Sequence, residues 1–330
     1  MNDNDYMQQC LKLARKGKYF VSPNPMVGAC LVKKDRLLGK SYHAQFGGAH
    51  AEAKLIKKLG QQKCRDATLY VNLEPCCHHG KTPPCTKAII AAGIKKVVVG
   101  SLDPNPLVSG QGIKELKKAG LEVKVGVCEK ECHDLNRKFF KFITTSLPYV
   151  TLKVAQTQDG FIADKDGKSK WITGIKARKA GHILRAEHDA VLVGANTVRR
   201  DNPHLTLHGA KGRQPWRIIL DRSGRTAKTV HLLNDKFKDR TLILSEKDLR
   251  KVLSKLSSKG ISSVLVEGGA QIYNSFLQAG LVDEILIFTA PKKFKEGLKA
   301  LADTKLLQGF REVASFKIGK DRIQRLVNTG

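Results

Sequence analysis

No stretch of this chain approaches the roughly 20 consecutive apolar residues that a membrane-spanning helix requires, so no membrane association is expected. The opening MNDNDYMQQC is polar and acidic. It lacks the basic and apolar segments of a secretory signal, and the expected location is cytoplasmic. Aromatic residues make up only 6% of the chain, which leaves few platforms for stacking single-stranded bases. Cysteine is absent beyond residue 132, and all 8 cysteines precede that point. In a reducing compartment, clustered thiols read as metal ligands or catalysts and scattered ones as buried packing, so a disulfide framework is the weaker reading. A dinucleotide-binding G-x-G-x-x-G is missing as well: GQGIKE at 110–115 fails at the third glycine.

Acidic side chains are scarce beside basic ones, 30 against 59, for a net charge of +29. Residues 1–147 carry 25 Lys and Arg against 12 Asp and Glu, net +13; the remaining 34 and 18 give +16. The excess is therefore no basic tail. Such a field attracts polyanions and phosphorylated small molecules alike. A solvated basic surface accounts for it without a dedicated partner. With no recognisable nucleic-acid module, nucleic acid is the disfavoured partner.

A chain of 330 residues suits two domains. Hydrophobic periodicity predicts helices at 5–16, 49–59, 84–92, 110–119 and 129–142, alternating with strands at 27–32, 36–41, 67–73, 95–100 and 121–126. TTSLP at 144–148 is the predicted boundary, giving domains 1–146 and 147–330. The pattern then restarts. Strands are predicted at 149–155, 190–193, 216–220, 241–244, 263–266, 284–288, 311–316 and 322–326, and helices at 175–185, 247–257 and 271–279. Both halves read as α/β layers with helices on the sheet faces. Neither contains a repeat or a low-complexity segment.

The densest chemistry lies in EPCCHHGKTPPC, residues 74–85, which follows a predicted strand, and in GGAHAEAKLI, residues 47–56, upstream of it. The order His-x-Glu, then Pro-Cys, then a second Cys resembles the signature of zinc-dependent deaminases. The resemblance implies zinc held by His50, Cys76 and Cys85, with Glu52 as a general acid/base outside the ligand set. Pro75 singles out Cys76 over Cys77. Cys85 falls in the first turn of a predicted helix, where a thiolate is favoured. A Cys-x8-Cys pair alone could form a structural clip, although such clips usually use C-x-x-C spacing. His78 and His79 read as loop residues facing substrate or solvent. Cys10, Cys30, Cys64, Cys77, Cys128 and Cys132 read as packing.

Eight residues between the cysteines is a wide interval for a deaminase of nucleosides. VSPNPMVGACLV, HAEAKLI, LEPCCHHGKTPPC and LDPNPLVSGQG are similar to the first domain of the bifunctional deaminase–reductases of riboflavin biosynthesis. LKVAQTQDGFIA, SKWITG, ARKAGHILRAEHDAVLVGANTVRRDNPHLT and VEGGAQIYNSFLQAGLVDEILIFTAPK are similar to the second. The resemblance spans nearly the whole chain. It implies a cytidine-deaminase-like α/β/α layered domain followed by a dihydrofolate-reductase-like α/β domain. The first would remove an amino group from a diamino-pyrimidinone carrying ribosylamino 5′-phosphate; the second would use NADPH to reduce the ribosyl group to ribityl.

The same resemblance implies a deaminase substrate site of Asn24, His43, Lys81 and Asn105. Lys81 suits an anionic phosphate, and Asn24 is aimed by flanking prolines. Read alone, Asn24 and Asn105 are turn residues. For the reductase it implies Ser169, Arg185, Leu205, His208 and Glu267 at the substrate. At NADPH it implies Lys153, Ala155, Asp159, Trp171, Thr197, Asp201, Ser223 and the run Gly268, Gly269, Ala270, Gln271, Ile272, Tyr273, Asn274, Ser275. There a glycine pair opens a helix and exposes its unpaired N–H groups to a phosphate. Read alone, the glycine pair is a tight connection, and Trp171 and Leu205 are core. The chain departs from the family at His208, where arginine is common, at TQDG in place of SLDG, and in the tail after APK. Two alternatives follow: a deaminase with a silent or weak reductase domain, and, on charge alone, an RNA-editing deaminase. A homo-oligomer is compatible with the sequence.

Overall fold

Strand alternation with a period of two organises the first of two units, Met1–Ser146, in this computed structural model, which describes residues 1–78, 83–106, 108–169, 171–301 and 303–330. Strands β1 (Gly28–Lys33), β2 (Arg36–Tyr42), β3 (Thr68–Leu73), β4 (Lys96–Ser101) and β5 (Glu122–Val125) form a sheet in the order β2-β1-β3-β4-β5. β1 runs antiparallel to both neighbours, and β3, β4 and β5 are parallel. Leu31, Leu69, Val71, Val97 and Val99 bury one face against Leu55 of α2 (Ala51–Leu59), Ile89 of α4 (Cys85–Ala91) and Leu116 of α5 (Gln111–Lys118). Cys30, Val32, Tyr70 and Val98 bury the other against Tyr6 and Leu11 of α1 (Asp3–Ala14) and Cys132 of α6 (Glu129–Thr145). Each such leucine or valine contributes roughly 2 kcal/mol on burial. α3 (Gln61–Cys64) is a single turn.

Helix α1 starts two residues before the predicted position. The Asn2 side chain accepts from the Asp5 amide at 3.0 Å while Asp5 accepts from the Asn2 amide at 2.9 Å, and this reciprocal cap fixes the first turn.

The second unit, Leu147–Gly330, is built on eight strands. These are β6 (Tyr149–Thr157), β8 (Ala190–Gly194), β9 (Trp216–Leu220), β10 (Thr241–Leu244), β11 (Ser263–Gly268), β12 (Glu284–Ala290), β14 (Phe310–Ile318) and β15 (Asp321–Asn328), ordered β10-β9-β8-β11-β6-β12-β15-β14. The six strands from β10 to β12 are parallel, and β15 and β14 add on antiparallel. α10 (Leu249–Ser257) and α11 (Ala270–Gln278) cover one face through Val252, Leu253, Leu256 and Phe276. The opposite face carries Val191, Val193, Ile219 and Leu265 against Val198 of α8 (Ala195–Asp201) and Leu232 of α9 (His231–Asn234). α7 (Ile175–Ala186) packs Ala177 beside Leu286 and Phe288. β7 (Phe161–Ala163) and β13 (Leu298–Lys299) pair separately.

Periodicity did not reveal α8, α9, β7 or β13. Gly194 is both the last residue of β8 and the N-cap of α8, so no turn residues separate strand from helix. The other three are four residues or fewer, too short to show a period.

Candidate functional site

The end of β3 and two helix starts converge in the first unit. His50 is the N-cap of α2, Glu52 lies in its first turn, Cys76 follows β3 by three residues, and Cys85 opens α4. His50 Nδ1 lies 3.5 Å from Cys76 Sγ and 3.3 Å from Cys85 Sγ, and the three ligand atoms all lie within 4.8 Å of one another. Tetrahedral zinc with ordinary bond lengths holds sulfur and nitrogen about 3.6 Å apart. The donor set and its spacing therefore fit zinc with a fourth position open.

The Cys76 thiol is lowered, first by the hydrogen bond from Cys85 and then by His50, while Cys85 is pushed up by that bond and by burial. Sequence placed the helix-stabilised thiolate at Cys85. Cys85 does open α4, and its amide donates to Cys76 Sγ, 3.4 Å away. Replacing Cys85 by Ser is expected to lower zinc from about one per chain to below about a tenth after dialysis against a weak chelator, read by atomic absorption.

Glu52 is buried, and its Oε2 has no hydrogen-bond partner among the described residues. Burial raises its pKa. A carboxyl kept this way, beside an open metal position, is suited to carrying a proton. It faces a cavity of about 310 Å³ that Asn24, His43, His50, Cys76 and Asn105 also line. His43 Nδ1 donates to the Ala49 carbonyl at 3.1 Å, which leaves Nε2 to accept from Asn24 Nδ2 at 3.2 Å. Lys81 lies outside the described residues.

Several cavity residues gave no sequence signal. Asp103 is buried and is pushed up to about 6, chiefly by burial. It sits in LDPNP beside Asn105, whose amide it accepts at 2.9 Å. Glu74 accepts from the amides of Asp103, Gly110 and Ile113, at 3.2, 3.0 and 3.1 Å, and so pins the loop bearing Asn105 to the end of β3. Gly112 permits this clasp, since a Cβ there would meet the Pro75 carbonyl oxygen at 2.2 Å. Phe139, Phe142 and Ile143 of α6 supply an apolar wall.

The second unit carries two adjoining cavities that share Ile162, Ser169 and Asp201. One, of about 540 Å³, runs along the turn from β11 into α11. Gly268, Gly269, Ala270, Gln271, Ile272 and Ser275 line it with Thr197 and Ser223. Gly269 has φ +89, a conformation that favours glycine. The other, of about 670 Å³, is lined by Lys153, Ala155, Trp171, Arg185, Leu205, His208, Glu267 and Tyr273. The fork of Arg185 is committed to Glu267 through two bonds of 2.7 Å, and its Nη1 donates to the Thr206 carbonyl at 2.9 Å. Burial alone would raise Glu267, but the Arg185 charge and hydrogen bonds, aided by Lys153, hold it near 2. Lys153 is itself pushed down by burial.

Two expected site residues face elsewhere. Asp159 lines neither cavity: its carboxylate accepts from Thr157 Oγ1 at 2.6 Å and from the amides of Phe294 and Lys295, closing a turn. Asn274 is turned back on its own helix, where Nδ2 donates to the Ala270 carbonyl at 2.7 Å. Trp171 is no core residue. It is 65% exposed and stacks on the Arg178 guanidinium at 4.4 Å. Leu205 is both core and lining, 3% exposed and at φ +51. The loop bearing it rests on the fully buried Arg217, which donates to the His204 carbonyl at 3.2 Å and pairs with Asp235.

Comparison with known proteins covers both units. Residues 1–101 match the cytidine and deoxycytidylate deaminase zinc-binding region, and residues 148–323 match the RibD C-terminal domain. The riboflavin biosynthesis protein RibD of Aquifex aeolicus is 45% identical over 98% of this chain and 96% of its own length. The chain belongs to the RibD family. RibD of Escherichia coli is 35% identical over 98% of this chain and 96% of that protein. The solved structure of Acinetobacter baumannii RibD superposes with a TM-score of 0.92 at 38% identity, covering 99% of both chains. A deaminase/reductase structure from Thermotoga maritima gives 0.91 at 38% identity, covering 99% and 98%.

The protein is thus a bifunctional enzyme of riboflavin biosynthesis, a zinc-dependent deaminase joined to an NADPH-dependent reductase. Its folds are the cytidine-deaminase-like and dihydrofolate-reductase-like classes expected from the sequence. Among the described residues no helix is long and apolar enough to cross a membrane.

Proposed function

We propose that residues 1–146 deaminate a diamino-pyrimidinone bearing a ribosylamino 5′-phosphate, and that residues 147–330 reduce the ribosyl group of the product to ribityl, in the cytoplasm. The observation that carries the first half is the triad of His50, Cys76 and Cys85, with the unpartnered Glu52 oxygen beside it in one cavity. Zinc, when bound there, supplies a water activated near neutral pH. Glu52 takes the proton of the attacking water and returns it to the departing amine, so ammonia leaves as a neutral molecule. The Asn24 and His43 pair and Asn105 orient the ring edge, while Phe139 and Phe142 exclude bulk water. On the motif resemblance alone, Lys81 is the cation assigned to the phosphate.

For the second half, the adjoining cavities support a reading in which Gly268–Ser275 would hold the cofactor and Lys153 and Glu267 would line the substrate's place. NADPH supplies the hydride when bound. The Arg185–Glu267 pair fixes one wall, and the half-buried Lys153 lines the same cavity beside the substrate.

The test is a product mass spectrum after incubation of the zinc-loaded protein with this substrate and NADPH. The expected product shows exchange of an amine for oxygen together with the gain of two hydrogens. Exchange without reduction would confine the reading to the first unit. Unchanged substrate would overturn it.

A further inference from the structure

Helix α6 is broken at one residue. At Asn136, φ −103 and ψ 16 leave the helical range, and the side chain is buried. A buried amide needs hydrogen-bond partners, and Asn136 finds them 110 positions away on the backbone of Met26. Its Oδ1 accepts from the Met26 amide at 2.8 Å, and its Nδ2 donates to the Met26 carbonyl at 3.0 Å. Met26 directly follows Pro23, Asn24 and Pro25, which line the cavity beside the metal triad. We propose that Asn136 is a positioning residue of the deaminase, holding the loop that carries Asn24 and the apolar wall that carries Phe139 and Phe142 in one fixed relation. This rests on the role of Asn24 at the ring edge given under the proposed function.

The sheet gives this loop little support of its own. Pairing of β1 with β3 begins at Ala29 and Val71, so Met26 and Gly28 lie past the end of that ladder. There the buried side chain of Asn72 takes over from the backbone of β3. It accepts from the Gly28 amide at 2.7 Å and donates to the Met26 carbonyl at 3.0 Å. The Met26 carbonyl thus has two side-chain donors, whereas the Met26 amide has Asn136 as its acceptor. The polar contacts of the cavity depend on this short backbone. The His43 amide donates to the Val27 carbonyl at 2.9 Å, and Asn24 Nδ2 lies 3.2 Å from His43 Nε2.

The break in α6 serves the same end. Phe139, Phe142 and Ile143 lie on the segment after it and line the cavity. Asparagine suits a helix interior poorly, because its side chain competes for backbone groups. Here the side chain turns out of its helix, to Met26. A carboxamide offers a donor and an acceptor in one plane, so two bonds to one residue fix rotation as well as distance. A leucine of similar volume would fill the space without fixing either.

A double-mutant cycle on the full-length, zinc-loaded protein tests this, with kcat/KM read from ammonia release by the diamino-pyrimidinone ribosylamino phosphate. Asn24→Ala is expected to lower kcat/KM about 10²-fold. Asn136→Leu is expected to lower it by a similar factor, since misplacing an orienting group by about 1 Å costs about 10²-fold. Zinc by atomic absorption is expected to stay at one per chain in both. The double variant is expected to fall about threefold or less below Asn24→Ala, because a loop without its amide has nothing left to misplace. A general loosening of the fold would act independently, and the two losses would multiply to about 10⁴-fold. Asn136→Asp keeps an acceptor for the Met26 amide and loses the donor to the carbonyl, which Asn72 still serves. Its expected loss is intermediate, about tenfold.

Losses that multiply would overturn the proposal and leave the role of Asn24 standing, as would parental activity in Asn136→Leu. If Asn136→Leu loses zinc, the cycle is read with Asn136→Asp. Loss of zinc in both would make Asn136 a structural residue and overturn the proposal. Parental activity in Asn24→Ala would instead strike the reading of Asn24 at the ring edge, and the proposal with it.

Discussion

Glu52→Gln is expected to lower deamination by about 10³-fold or more while one zinc per chain is retained. General acid/base transfer by a single positioned group is worth about 10² to 10⁴. Here one carboxyl must act in both directions, first accepting from water and then donating to the amine. Its neighbours cannot substitute. His43 is committed to the Ala49 carbonyl and to Asn24. Asp103 is tied to the loop amide of Asn105. Glutamine keeps the shape of the side chain and loses only the titrating proton. Because Glu52 Oε2 is buried without a hydrogen-bond partner among the described residues, the variant should also unfold at a temperature no lower than the parent. Zinc by atomic absorption, ammonia release and thermal unfolding check the three parts. Retained activity would remove Glu52 from the reaction, and lost zinc would make it a structural residue.

The largest stability change is expected from Glu267→Ala. The carboxylate pairs bidentately with Arg185, and the two side chains are only 8% and 13% exposed. Removing one partner leaves a buried guanidinium uncompensated, which costs about 3–5 kcal/mol. The expected result is loss of reductase activity and an earlier unfolding transition in urea, with zinc content unchanged because every ligand lies in the first unit. Replacing both partners, as Glu267→Leu with Arg185→Met, should restore most of the stability without restoring reduction. That would separate the role of the pair in packing from its role in the site.

Acid should act through the same pair. The folded value near 2 lies below the ordinary 4.5 of a glutamate, so the contribution is full above pH 4.5 and is lost as pH falls toward 2. A difference of this size corresponds to about 3 kcal/mol. An unfolding free energy that kept the same pH dependence in the double variant would refute the assignment.

The sequence by itself determined the metal chemistry and the layered architecture. His50, Glu52, Cys76 and Cys85 were legible because zinc demands particular donor types and the deaminase reaction demands a carboxyl beside them, so residue identity and order carry the information. The sheets were legible because a strand buried on both faces reads as a continuous apolar run, as in Val97, Val98 and Val99 of β4. Tertiary structure decided the rest. Glu74 and Asp103 meet through backbone amides that any residue could supply. Asp159 and Asn274 sit inside promising motifs, yet local hydrogen bonds turn them from the cavities. His182 and His208 are 26 positions apart and belong to a helix and a loop that no periodicity connects. Packing of α7 against the strained 202–208 loop, held from beneath by Arg217, brings their rings together. Side-chain identity is local, whereas proximity follows from which faces the core buries.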